Sequence, residues 1–233
     1  MQQETARNQR YNMYAIIHKA LRMFMCDTLS TLGKLDAADA QETQACLAQV
    51  NSLLEVCTGH LHHENEFVHA AMEARRPDSA QEIATEHEHH LWAIGQLEDL
   101  VAVVETAQPE LRAEAVSRLY RYLALFIAEN FTHMNVEETE HNAVLWATHT
   151  DEELIGIEQA LVASIPPAES ALIMRWMIPA MTPAERAEKL SGIRLHAPAP
   201  VFGMLLDIAQ DSLPAREWKK LQQDLGLEEA LAA

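Results

Sequence analysis

The feature that most constrains this chain is an apolar repeat of helical period carried through four long segments, each stopped by residues that break or cap helices. Helix A is predicted from about Tyr11 to Leu35, stopping around Asp36 to Asp39, and helix B from about Ala45 to Arg75, closed by Arg76, Pro77 and Asp78. Helix C follows from about Ala80 to Thr106, before Pro109, and helix D from about Leu111 to Ala147. Segments of about 25 to 37 residues joined by short loops favour antiparallel neighbours. The expected fold is therefore all-α: an up-and-down antiparallel four-helix bundle over residues 1–148. No β-rich run interrupts the pattern, and only 7 glycines dilute it.

Residues 149–233 change character. Pro166, Pro167, Pro179, Pro198, Pro200 and Pro214 punctuate them. Thr150 with Glu153 and Thr182 with Glu185 have capping-box spacing, and Pro183 stands where a first-turn proline is tolerated. This predicts a C-terminal extension of short amphipathic helices, with Leu172, Trp176, Leu190, Phe202, Leu205, Leu206, Trp218 and Leu221 offering apolar contacts to the bundle, to one another or to a second subunit in a homo-oligomer. The sequence assigns the extension no role.

A net charge of -18 repels phosphate backbones and anionic lipid, so no nucleic acid and no membrane surface is expected as partner. Cys26, Cys46 and Cys57 are odd in number and lack CxxC spacing, which fits a reducing, cytoplasmic setting. Met1 to Glu4 carry no basic region leading into an apolar stretch, and no run reaches the roughly 18 apolar residues of a membrane span.

Chemistry concentrates in the histidines. A His followed four residues later by Glu occurs at His60/Glu64, His62/Glu66, His69/Glu73, His133/Glu137 and His149/Glu153. Roughly one such pair arises by chance in a chain this rich in both residues, so orientation must decide. At about 100° per residue, His60 and Glu64 share the stripe of Leu53, Cys57, Phe67 and Ala71, whereas Glu66 lies about 120° away and His69 opposite. His133 and Glu137 share the stripe of Leu119, Tyr122, Phe126 and Val144. His18 falls with Tyr14, Leu21, Met25 and Leu32 on helix A, and His87 and His90 fall near the face of Ile83, Ile94 and Val101 on helix C. The remaining bundle histidines, His62, His63, His69, His89, His141 and His149, are expected on solvated or peripheral faces. Cys57, one turn before His60, is read as a small core residue rather than a thiolate ligand.

A lone histidine on an apolar stripe is more often a hydrogen-bonded core residue than a ligand. Here, however, acids and imidazoles converge from all four helices, and a carboxylate in a bundle core is costly unless paired or bound to metal. The metal candidates are His18, His60, Glu64, His87, His90, His133 and Glu137. Imidazole with carboxylate suits iron or manganese; without thiolates a structural zinc site is disfavoured, although zinc or manganese could substitute. With both carboxylates bridging, five imidazoles and four oxygens supply about nine of the roughly twelve positions of two six-coordinate ions, leaving room for a small ligand. A ferritin-like site would use Glu66/His69, Glu86/His89 and Glu138/His141, but those residues mostly face away from the stripes, and helix A lacks an inward carboxylate.

The order His in helix A, HxxxE in helix B, His in helix C and HxxxE in helix D, carried by the strings HLHHENEF, TEHEHH and FTHMNVEE, resembles the hemerythrin-like (HHE) cation-binding domain family over about residues 10–147. The resemblance implies a non-haem di-iron centre held by His18, His60, Glu64, His87, His133 and Glu137, with His90 as a seventh candidate. His87 and His90 are three apart rather than four, and Glu137 stands four after His133 where oxygen-carrying members have an aspartate five after, so the chain looks like the bacterial branch. The functions this implies are binding of dioxygen, nitric oxide or iron for sensing, scavenging or storage. A di-iron redox enzyme reducing nitric oxide or peroxide, and a helical scaffold without metal, stand as alternatives.

Overall fold

The computed structural model describes residues 10–227. Met1 to Glu4, read above for a targeting signal, lie outside them. The described residues are helical and contain no strand. Helix α1 spans Tyr14–Gly33. Helix α2, Ala40–His63, runs into a π-helical turn, Glu64–His69, and continues as α3, Ala70–Arg75. Helix α4 covers Gln81–Thr106; α5, Pro109–Val136, meets a second π-helical turn at Glu137–His141 and continues as α6, Asn142–Thr148. These are the four long segments of the sequence pattern, an arrangement consistent with a four-helix bundle. Helix α2 begins earlier than its apolar repeat indicated because Asp39 caps it, its carboxylate accepting from the backbone N–H of Gln41 and Glu42.

The described residues divide into two compact units, one of residues 10–15 with Phe24–Ser164, the other of Ile16–Met23 with residues 165–227. In the first unit α4 packs against α2 and α5. Leu53, Leu97, Leu119 and Leu123 are completely buried there, each worth about 1.5–3 kcal/mol relative to exposure. A second apolar cluster joins Tyr14, Val68, Met72, Leu145 and Leu154. It brings in α7, Asp151–Ser164, whose start carries the capping pair expected from sequence: Thr150 N–H donates to Glu153 and Glu153 N–H to the Thr150 hydroxyl. Arg10 closes this end, donating to Asp151 and to the carbonyls of Trp146 and His149. No helix among the described residues is long and apolar enough to cross a membrane.

The second unit contains α8 (Pro167–Ala180), α9 (Pro183–His196), α10 (Ala199–Ser212) and α11 (Ala215–Asp224), packed around Ile178, Leu190, Leu205, Ala209 and Leu221. The expected capping box at Thr182 and Glu185 is formed. Arg186 is 2% exposed. Its guanidinium donates to the carbonyls of Ile178 and Met181 and to Glu217, satisfying acceptors that the end of α8 leaves open. Arg186→Met keeps much of the volume but strands those carbonyls, so a loss of about 2–4 kcal/mol is expected in urea unfolding of the full chain. A loss below about 0.5 kcal/mol would show that the buried guanidinium contributes nothing to this unit.

Candidate metal centre

Two HxxxE pairs place imidazole and carboxylate one helical turn apart on the same face. His60 Nε2 lies 3.3 Å from Glu64 Oε1, and His133 Nε2 lies 3.3 Å from Glu137 Oε1. Both glutamates are buried, Glu137 completely. From α4, His87 reaches between them, its Nε2 3.7 Å from Glu64 Oε2 and 3.6 Å from Glu137 Oε1. The ligand atoms of Glu64, His87, His133 and Glu137 all lie within 4.8 Å of one another, and so do those of His60, Glu64 and Glu137.

The outer nitrogens of two of these rings are already committed. His87 Nδ1 lies 2.8 Å from the amide oxygen of Asn65, and His133 Nδ1 lies 2.8 Å from a Glu86 carboxylate oxygen. Both partners only accept, so both Nδ1 atoms must donate. This fixes the tautomers and turns both Nε2 atoms inward, 3.0 Å apart. Two inward lone pairs at that distance need a positive species between them. Without metal, one proton meets that need: burial lowers the basicity of His133, but Glu137, Glu86 and Glu64 outweigh it and hold the ring at about 9. Burial pulls His87 down and leaves it the neutral acceptor.

The other sequence candidates are distributed as follows. His18 is fully buried on α1, within the Ile16–Met23 stretch. His90 is buried with its ring edge-on to His133, centroids 4.7 Å apart, and falls outside the groups whose ligand atoms converge within 4.8 Å. Burial pushes Cys57 up to about 12, so it stays a thiol.

The sequence reading missed His69 and His141. Both were expected on peripheral faces, yet they are 5% and 4% exposed. Their ligand atoms and that of Glu137 form a third group within 4.8 Å. Each π-helical turn begins at the inward glutamate; its wider winding brings His69, which uniform rotation sets about 140° from Glu64, toward the interior, while His141 stands about 40° from Glu137 even by uniform rotation. His69 stacks on His87 at 4.8 Å and meets His141 edge-on at 5.4 Å. His141 Nδ1 lies 3.5 Å from the Tyr14 hydroxyl, which joins Tyr14 to the cluster. The only trace in the sequence is a histidine four or five residues beyond each inward glutamate.

Imidazole nitrogens and carboxylate oxygens, buried together and oriented by outer partners, are positioned to chelate one or two metal ions. His69 adds direct support, since both its ring nitrogens are buried without a hydrogen-bond partner and an isolated imidazole is costly to leave so. Comparison with known proteins adds no name to this arrangement: the chain matches no family model, no curated protein and no solved structure.

Proposed function

We propose that this chain is a non-haem di-iron protein of the hemerythrin-like, bacterial-branch kind, which binds a small ligand such as dioxygen or nitric oxide in a reducing, cytoplasmic setting. The observation that carries the reading is the pair of inward-facing Nε2 atoms of His87 and His133, locked 3.0 Å apart by Asn65 and Glu86 between two buried glutamates. That arrangement matches what a cation needs, and without metal only a proton on His133 fills the place.

In this reading His18, His60, Glu64, His87, His133 and Glu137 would hold the iron pair, with His90 as the seventh ligand candidate. Nitrogen and oxygen donors without thiolate suit iron or manganese and disfavour a structural zinc site, and iron is the ion that the family resemblance implies. When bound, the metal pair would supply an open coordination position and reversible one-electron chemistry. The chain's own residues supply the rest. Met25 and Phe126, 0% and 2% exposed, exclude water from the bundle interior. Asn65 and Glu86 hold the rings in register. Residues 1–148 form the functional body, and the free thiols of Cys26, Cys46 and Cys57 fit a reducing compartment.

Anaerobic reconstitution with ferrous iron tests this. About two irons per chain are expected, with an optical change on adding oxygen or nitric oxide and no sustained consumption in the presence of a reductant. Sustained turnover would move the assignment to a di-iron redox enzyme, and fewer than about one iron per chain would leave only a helical scaffold.

A further inference from the structure

A pocket of about 460 Å³ opens beside the second π-helical turn, and four carboxylates, Asp78, Glu82, Glu86 and Glu140, line it against a single cation, Arg76. His141 forms part of the same wall. Glu82 and Glu140 are exposed, so the mouth presents negative charge to solvent, which concentrates divalent cations. Behind it stand His69 and His141, buried and with ligand atoms within 4.8 Å of one another and of Glu137. Both nitrogens of His69 lack a hydrogen-bond partner although the ring is 5% exposed. His141 Nδ1 stands 3.5 Å from the Tyr14 hydroxyl, and in the tautomer that carries its proton on Nδ1 the Nε2 atom presents a lone pair. Ligands on opposite sides of a first-row ion stand roughly 4 Å apart, so small side-chain movements would close this group on a cation.

We infer that His69, Glu137 and His141 form a further divalent-cation site, on the pocket side of the proposed pair, where an ion drawn in through the acid-lined pocket is first held by imidazole before it passes inward. The inference rests on the di-metal reading. Glu137 belongs to this group and to the one containing His87 and His133, so an ion can change partners without leaving carboxylate. The site therefore takes a hydrated divalent ion from solvent and exchanges its water for nitrogen donors.

The test uses the full metal-free chain and Co2+, whose visible absorption reports nitrogen ligation. His69→Gln with His141→Gln is expected to slow uptake about tenfold or more while the final loading is kept. Glu82→Gln with Glu140→Gln, which leaves the buried residues alone, is expected to slow it about threefold at low salt, with the difference vanishing at high salt. Wild-type uptake rates in both variants would overturn the inference, as would loss of a full equivalent in the histidine variant, which would make these residues permanent ligands of the pair.

A second variant separates the two readings. His60→Ala with His133→Ala removes two imidazoles from the proposed pair and spares His69, Glu137 and His141. It is expected to retain about one Co2+ per chain, lost when His69→Gln and His141→Gln are added, with circular dichroism confirming the fold of each variant. Retention of none overturns the inference. A wild-type chain that holds a single ion, itself lost in the His69/His141 variant, would instead overturn the two-ion reading and leave this site standing.

Discussion

Glu64→Gln is expected to leave the metal-free protein at least as stable as the wild type while removing most of the stabilisation that metal confers. The opposite directions separate a ligand from a structural ion-pair member. Glu64 is 3% exposed and lies 3.3 Å from His60 Nε2 and 3.7 Å from His87 Nε2. A carboxylate there costs desolvation that its neighbours return only in part, so a neutral amide of the same shape loses little without metal. With metal the balance reverses. A cation that binds only the folded state at about a thousand times its Kd adds about 4 kcal/mol, which for a chain of this size is a rise of roughly 10 °C in Tm. Glutamine is a poor bridging ligand, so that increment should fall close to zero. His133→Ala with Glu137→Ala should abolish it as well. Calorimetry with and without ferrous iron under anaerobic conditions reads both effects. If Glu64→Gln destabilises the metal-free protein by several kcal/mol and leaves the metal increment intact, Glu64 is a structural partner of His60 and the metal assignment fails on that side.

How much of this could be read from the residues follows from what rotation along a helix does and does not encode. Glu64, His87, His133 and Glu137 obey a constant rotation, and the structure brings their ligand atoms together from three separate helical segments. Thr150 with Glu153 and Thr182 with Glu185 were legible as caps because the motif is local and its two hydrogen bonds need no tertiary partner. His69 was not legible, because a π-helical turn is one extra residue absorbed by the backbone and leaves the apolar repeat on either side nearly unchanged, whereas His141 stands about 40° from Glu137 by ordinary helical rotation and lay within reach of the same reasoning. Asn65 and Glu86 escaped for a different reason. They sit on partly or fully exposed positions, and only the packing of α4 against its neighbours shows that Glu86 meets His133 and Asn65 meets His87. Arg186 was equally silent, since its partners are backbone carbonyls whose availability depends on where α8 ends.

The proton held between His87 and His133 makes the affinity for metal depend on pH in a window set by the protein. Glu137, Glu86 and Glu64 hold His133 at about 9, above the ordinary histidine value of 6.5, although burial opposes them. His87 and His90 also face it: burial pulls His87 down against the opposing pull of Glu137, and burial with the neighbouring imidazoles of His133, His87 and His89 lowers His90 to about 3. On the pocket side burial likewise lowers His69, to about 3, and His141. His87, His90, His69 and His141 therefore need lose no proton to bind near neutrality, and His133 must lose one. Apparent affinity should rise about tenfold per pH unit, or roughly a hundredfold from pH 7 to 9, and then level off. Stability of the metal-free protein should move the other way. A histidine whose folded value is raised contributes stability that is fully present below 6.5 and lost as pH climbs through 9, here on the order of 3 kcal/mol. Glu86→Gln should lower the upper edge of the window and, by loosening the His133 ring, weaken affinity on the plateau by about 10- to 100-fold. Titration of the metal-free chain with Co2+ at fixed pH values, alongside urea unfolding of the same samples, measures both slopes. An affinity flat between pH 7 and 9 would mean that no proton leaves His133 when metal arrives, and that the close approach of its Nε2 to His87 is a hydrogen bond the cation never replaces.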